Sequence, residues 1–82
     1  MDRRLGFVGI IVEDRKRSAA AVNEVLTLYG HLVVARTGIP NRDDGRSVIT
    51  LVVEATPDEI GALTGTLGRL QGVSVKSALS KQ

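Results

Sequence analysis

Arg46-Ser47-Val48-Ile49-Thr50-Leu51-Val52-Val53-Glu54-Ala55-Thr56-Pro57-Asp58-Glu59-Ile60 sets a strand directly against the start of a helix. Arg46 to Glu54 is dominated by β-branched and aliphatic residues, the composition of a strand. Thr56 then offers a side-chain oxygen to cap a helix. Pro57 suits the first helical position, where no amide donor is needed, and Glu59 completes a capping box. Ile60, Leu63, Leu67 and Leu70 fall at three- and four-residue spacing and give that helix one apolar stripe. Gly72 is expected to stop it. Val73 to Leu79 alternates apolar and polar residues, as a strand with one wet face should, and Ser80-Lys81-Gln82 is a tail.

Upstream, the same grammar repeats. Leu5-Gly6-Phe7-Val8-Gly9-Ile10-Ile11-Val12 reads as a strand buried on both faces. Asp14 can cap a helix that begins at Arg15. Ala19, Val22, Leu26 and Tyr29 form the stripe of that helix over Arg15–Tyr29, with Gly30 expected to end it in the left-handed conformation. His31 to Ile39 is a second strand. Pro40-Asn41-Arg42-Asp43-Asp44-Gly45 is a polar turn, Asp44-Gly45 being a strong turn pair. The order is β-α-β-β-α-β. Right-handed crossovers place strands one and three at the centre of a four-stranded antiparallel sheet with both helices on one face, the α+β ferredoxin-like sandwich.

The length of 82 residues fits one domain spanning 1–82. Net charge is +2, too small to argue for nucleic acid alone. The two arginines of Met1-Asp2-Arg3-Arg4 precede an apolar stretch, but that stretch holds glycines and runs into Glu13-Asp14-Arg15 without a small-residue cleavage site. No run reaches membrane-spanning length, so a cytoplasmic, membrane-free protein is expected. A chain this short is marginal alone, and with no cysteine it has no disulfide to staple it.

The central strands sharpen that point. Ile49, Leu51 and Val53 alternate with Val48, Thr50 and Val52, and Phe7 and Ile11 alternate with Val8, Ile10 and Val12. Whichever side meets the helices, about five apolar side chains face outward, each worth ~1.5–3 kcal/mol when buried. Patches of that kind mark interfaces, so a homo-oligomer, dimer or tetramer, is expected. Gly61, Gly65 and Gly68 form a second anomaly, a stripe turned away from the leucine face of the second helix. It fits either close approach by a partner or ligand, or a weak helix that is simply tolerated.

Signals for chemistry are few. His31 is the lone histidine, no cysteine is present, and Asp43-Asp44 lacks the further acids of a calcium loop. Nucleophilic catalysis needs a nucleophile oriented by a base, and neither Gly-x-Ser-x-Gly nor a phosphate loop occurs. No catalytic residue, metal or cofactor is expected. RNA-recognition domains of the same strand order stack bases on aromatics of strands one and three. Here those strands carry only Phe7, so direct nucleic-acid binding is disfavoured. Arg15-Lys16-Arg17 reads as a solvated face. What remains is a ligand-sensing or interaction module. Glu13, Asp14 and Arg15 at the strand–helix junction, with Arg36, Gly38, Pro40 and Arg42 at the hairpin, frame a candidate site for a small effector at an oligomer interface; turns and surface charges explain them equally well.

Three stretches carry a family likeness: Val12-Glu13-Asp14-Arg15, Arg36-Thr37-Gly38-Ile39-Pro40, and the long run Ile60-Gly61-Ala62-Leu63-Thr64-Gly65-Thr66-Leu67-Gly68-Arg69-Leu70-Gln71-Gly72-Val73-Ser74-Val75-Lys76. They resemble the small stand-alone proteins assigned as regulators of the iron-only hydrogenase system. The resemblance spans nearly the whole chain and implies an ACT-like fold, similar to the ligand-binding domain of nickel-responsive repressors, with dimers or higher assemblies and a regulatory, transcription-linked role. It does not supply a metal site. The nickel-responsive domains use several histidines and a cysteine, whereas this chain has only His31 and no DNA-binding arm. A structural subunit docking to a larger enzyme or regulator is the alternative reading.

Overall fold

The computed structural model describes residues 2–40 and 42–82. Its elements run β1 (Arg4–Val12), α1 (Arg15–Leu28), a 3-10 turn (Gly30–Leu32), β2 (Val33–Ile39), β3 (Ser47–Ala55), α2 (Pro57–Gly68) and β4 (Val73–Leu79). The sheet order is β2-β3-β1-β4, all antiparallel, with β1 and β3 central as expected.

Each helix starts where side-chain chemistry allows. Asp14 caps α1 by accepting from the Arg17 amide. Thr56 and Glu59 close the expected capping box on α2: the Glu59 amide donates to Thr56 Oγ1 at 3.1 Å, and the Thr56 amide donates to Glu59 Oε1 at 2.8 Å. That last bond, with help from the Arg3 guanidinium, holds the Glu59 carboxyl below its ordinary value of 4.5. A carboxylate depressed on folding stabilises the fold above that value and loses its contribution as pH falls through the folded one. Stability is therefore expected to decline below about pH 4.5, and Glu59→Gln to flatten that decline while lowering stability at neutral pH. Denaturation midpoints at pH 7 and about pH 3 check this; parallel pH profiles for the two proteins would contradict it.

The ends of the helices differ from expectation. Gly30 does not adopt the left-handed conformation; the positive-φ glycines are Gly45 (φ 84°) and Gly72 (φ 72°). The chain leaves α1 at Tyr29 and tightens into the 3-10 turn, which drives Leu32 into the core, so β2 starts at Val33 rather than His31. Helix α2 ends at Gly68, capped at Arg69, four residues before Gly72. Two weak helix formers lie in its last turn, Gly65 and Gly68. Gly72 instead reverses the chain into β4, and its carbonyl accepts from the Glu13 amide at 2.8 Å. In the polar turn, Gly45 supplies the left-handed residue as the Asp44-Gly45 pair predicts; Asn41 lies outside the described residues.

The core is a single layer of aliphatic side chains between sheet and helices. Val8, Ile10 and Val12 of β1 and Ile49, Leu51 and Val53 of β3 meet Val22 and Leu26 of α1 and Ile60, Leu63 and Leu67 of α2. The opposite face stays uncovered. Phe7 pairs with Val52 and Ile11 with Val48 across the central ladder, and Leu5, Phe7, Ile11 and Val52 are 57%, 55%, 40% and 38% exposed.

Candidate functional site

The helix side of the sheet is poorly filled at one place. On β2 the positions that share a face with buried Leu51 and Ile49 are Arg36 and Gly38. Glycine has no side chain to pack there. Arg36 reaches up to α1 instead, its Nη2 donating to Asn23 Oδ1 at 3.2 Å. An open cleft of about 520 Å³ results between α1 and the β2–β3 hairpin. Its apolar wall is Val12, Ala19, Val22 and Ile49, and its polar groups are Arg15, Arg36, Asn23 and Ser47.

Arg15 closes one end. Its side-chain Nη1 donates to the carbonyls of Pro40 (3.3 Å) and Arg42 (3.4 Å), and its backbone amide donates to the Gly45 carbonyl at 2.9 Å. The hairpin loop is thus tied to the start of α1. The loop braces itself through Asp44, which accepts from both Arg46 and Arg42; those bonds hold its carboxyl well below the usual carboxylate range.

Of the residues singled out from sequence, Arg15, Arg36, Gly38 and Pro40 line this one cleft. Glu13 and Asp14 do not line it: Glu13 is exposed, with its amide bonded to Gly72, and Asp14 is the α1 cap. Gly61, Gly65 and Gly68 lie on the exposed side of α2, and added Cβ atoms there would meet open space or, at Gly65, the Arg69 guanidinium at 3.7 Å. Arg17 of the basic cluster donates to Gln71 Oε1 at 2.8 Å. His31 is exposed in the 3-10 turn, and among the described residues no group of three His, Cys, Asp or Glu side chains is arranged to hold a metal. No described helix is long and apolar enough to cross a membrane.

Asn23 and Ser47 were not visible as site residues. Ser47 carries the fainter trace. It is the polar first member of the otherwise apolar series Ser47, Ile49, Leu51, Val53, Ala55, and all five are buried. Asn23 comes after Val22 in the helix with no motif around it.

The family model described as "TM1266-like: Iron-only hydrogenase system regulator, putative" matches residues 4–77. Among solved structures the chain is similar to the uncharacterized protein TM1266 from Thermotoga maritima, with 38% identity, a TM-score of 0.90, and 98% of this chain and 100% of that one covered. It is similar to the ACT domain of the GTP pyrophosphokinase of Chlorobium tepidum, at 20% identity and a TM-score of 0.77, covering 93% and 99% of the two chains. The regulatory subunit of aspartate kinase from Thermus flavus aligns at 18% identity and a TM-score of 0.56, over 95% of this chain and 57% of that one. The latter two likenesses establish the fold, the ferredoxin-like arrangement of ACT domains. No curated protein matches the chain.

Proposed function

The chain belongs to the TM1266-like family, and on that premise we propose that it is a non-catalytic regulatory module of the iron-only hydrogenase system, working as a homo-oligomer that responds to a small effector. The observation that carries this reading is the uncovered sheet face. Leu5, Phe7 and Val52 lie together on this face of the two central strands, and Ile11 is exposed further along β1 beyond the Gly9–Thr50 pair. A contact of that kind across a two-fold axis is self-complementary and completes the sandwich with a second copy. Its residues are aliphatic apart from Phe7, which favours protein over stacked bases. An effect on transcription would then pass through a partner protein.

The test is hydrodynamic. Wild-type protein is expected to sediment as a dimer or tetramer at micromolar concentration. Phe7→Asp, at a position more than half exposed within the chain, is expected to yield folded monomer, because a buried unpaired carboxylate opposes association. A well-folded wild-type monomer would remove the oligomeric reading and favour the alternative, a subunit that offers this face to a larger enzyme or regulator.

A further inference from the structure

We infer that the cleft between α1 and the β2–β3 hairpin binds a small organic anion, a carboxylate or phosphate group carried on a compact apolar body, and that it rejects zwitterionic amino acids. The inference deepens the regulatory reading above by giving its effector a chemical class.

Charge is the first ground. Two guanidinium groups, Arg15 and Arg36, line the cleft, and no carboxylate does. Among the described residues the ion pairs are made by Arg3, Arg42 and Arg46, so neither cleft arginine is neutralised by an acid. Their present partners are neutral: two backbone carbonyls for Arg15 and the Asn23 amide oxygen for Arg36. The guanidinium donors that these bonds leave free can add charge-assisted bonds to an anion, which are about twice as strong as neutral ones.

A second, independent ground is Ser47. Its residue is only 6% exposed and it lines the cleft. On the same sheet face as Ile49, its hydroxyl is placed to donate to a bound oxygen. The apolar wall of Val12, Ala19, Val22 and Ile49 sets the other half of the ligand, and the volume lies in the range of small-molecule sites.

The same lining excludes an amino acid. An α-ammonium group would sit beside two guanidinium groups with no acid to receive it. At the carbonyls of Pro40 and Arg42 an ammonium would stand directly against the Arg15 guanidinium that they already hold.

The full-length protein is to be titrated calorimetrically with succinate, glycerol 3-phosphate, AMP and leucine, with sedimentation run on the same samples. At least one of the three anions is expected to bind with a Kd below about 1 mM. The tighter arm identifies carboxylate or phosphate as the favoured group. Arg36→Gln and Ser47→Ala are each expected to weaken that binding, the former roughly tenfold or more, while leucine gives no heat. The inference is overturned if no anion binds, if leucine binds as well as the anions, or if Arg36→Gln leaves anion affinity unchanged. Arg36 lies on the opposite side of the sheet from the proposed oligomer contact, so sedimentation should be the same for wild type and Arg36→Gln. An assembled protein that ignores anions defeats this inference alone; a monomer that binds them defeats only the oligomeric reading.

Discussion

Leu63→Ala is expected to remove about half of the domain's stability. Leu63 is fully buried at the centre of the α2 stripe, between Ile60 and Leu67 and against the central strands. Truncating a buried leucine costs ~2–5 kcal/mol, part from lost transfer energy and part from the cavity left behind. A domain of this length is stable by only ~4–12 kcal/mol in total. There is one core layer and no disulfide to compensate. The expected drop in Tm is on the order of 10–30 °C. Thermal unfolding followed by circular dichroism checks it. A shift of a few degrees would mean that the helix layer can collapse onto the gap, and that the sheet rather than α2 governs stability.

Gly6→Ala is expected to act almost as strongly by a different route. Gly6 sits in the middle of the sheet, paired with Val53 on one side and Leu79 on the other. A Cβ there would collide with the carbonyl oxygen of Ala78 and come within 2.6 Å of Leu79 Cδ2. A side chain can rotate away, but the carbonyl belongs to the β4 backbone. The last residues of β4 must therefore lift off β1, taking with them the bond from the Ser80 amide to the Leu5 carbonyl, 2.8 Å long. Overpacking of this sort costs ~1–3 kcal/mol, and amide exchange should accelerate at Leu79 and Ser80 first. Gly65→Ala is the matched control, since its new methyl group meets only ordinary contact with Arg69. Alanine in place of an interior helical glycine should stabilise by ~1 kcal/mol. If that variant instead loses assembly, the glycine stripe of α2 is a contact surface.

The fold was legible because its signals are local and agree with one another. The capping box at Thr56–Glu59 fixes where α2 begins. Which side of β3 meets the helices stays open in sequence, because both sides are apolar, and the structure turns Ser47, Ile49, Leu51, Val53 and Ala55 inward. The helix C-termini depart from the sequence expectation for a physical reason. Gly30 and Gly72 look alike in sequence, yet only Gly72 takes the left-handed conformation. The difference lies in Leu32, whose burial pulls the chain into a 3-10 turn before a glycine cap can form. Part of the cleft was legible too. Arg15, Arg36, Gly38 and Pro40 stand out as polar or turn-forming residues at element ends. Asn23 and Ser47 join them only through the β2–β3 register and the position of α1 over the sheet, which no local pattern encodes.

The strand order has a further consequence, for the way this domain comes into being. β1 leads the chain, yet it lies between β3 and β4, so Phe7 finds Val52 on one side and Ala78 on the other. During synthesis β1 emerges first and waits for both neighbours. The α1 and β2–β3 segments can organise early, since their contacts are close in sequence, but the sheet cannot close until β4 has cleared the ribosome. Contacts of such long sequence separation slow folding. Through that interval both apolar sides of β1 lie open, and the nascent protein is at its most vulnerable to aggregation.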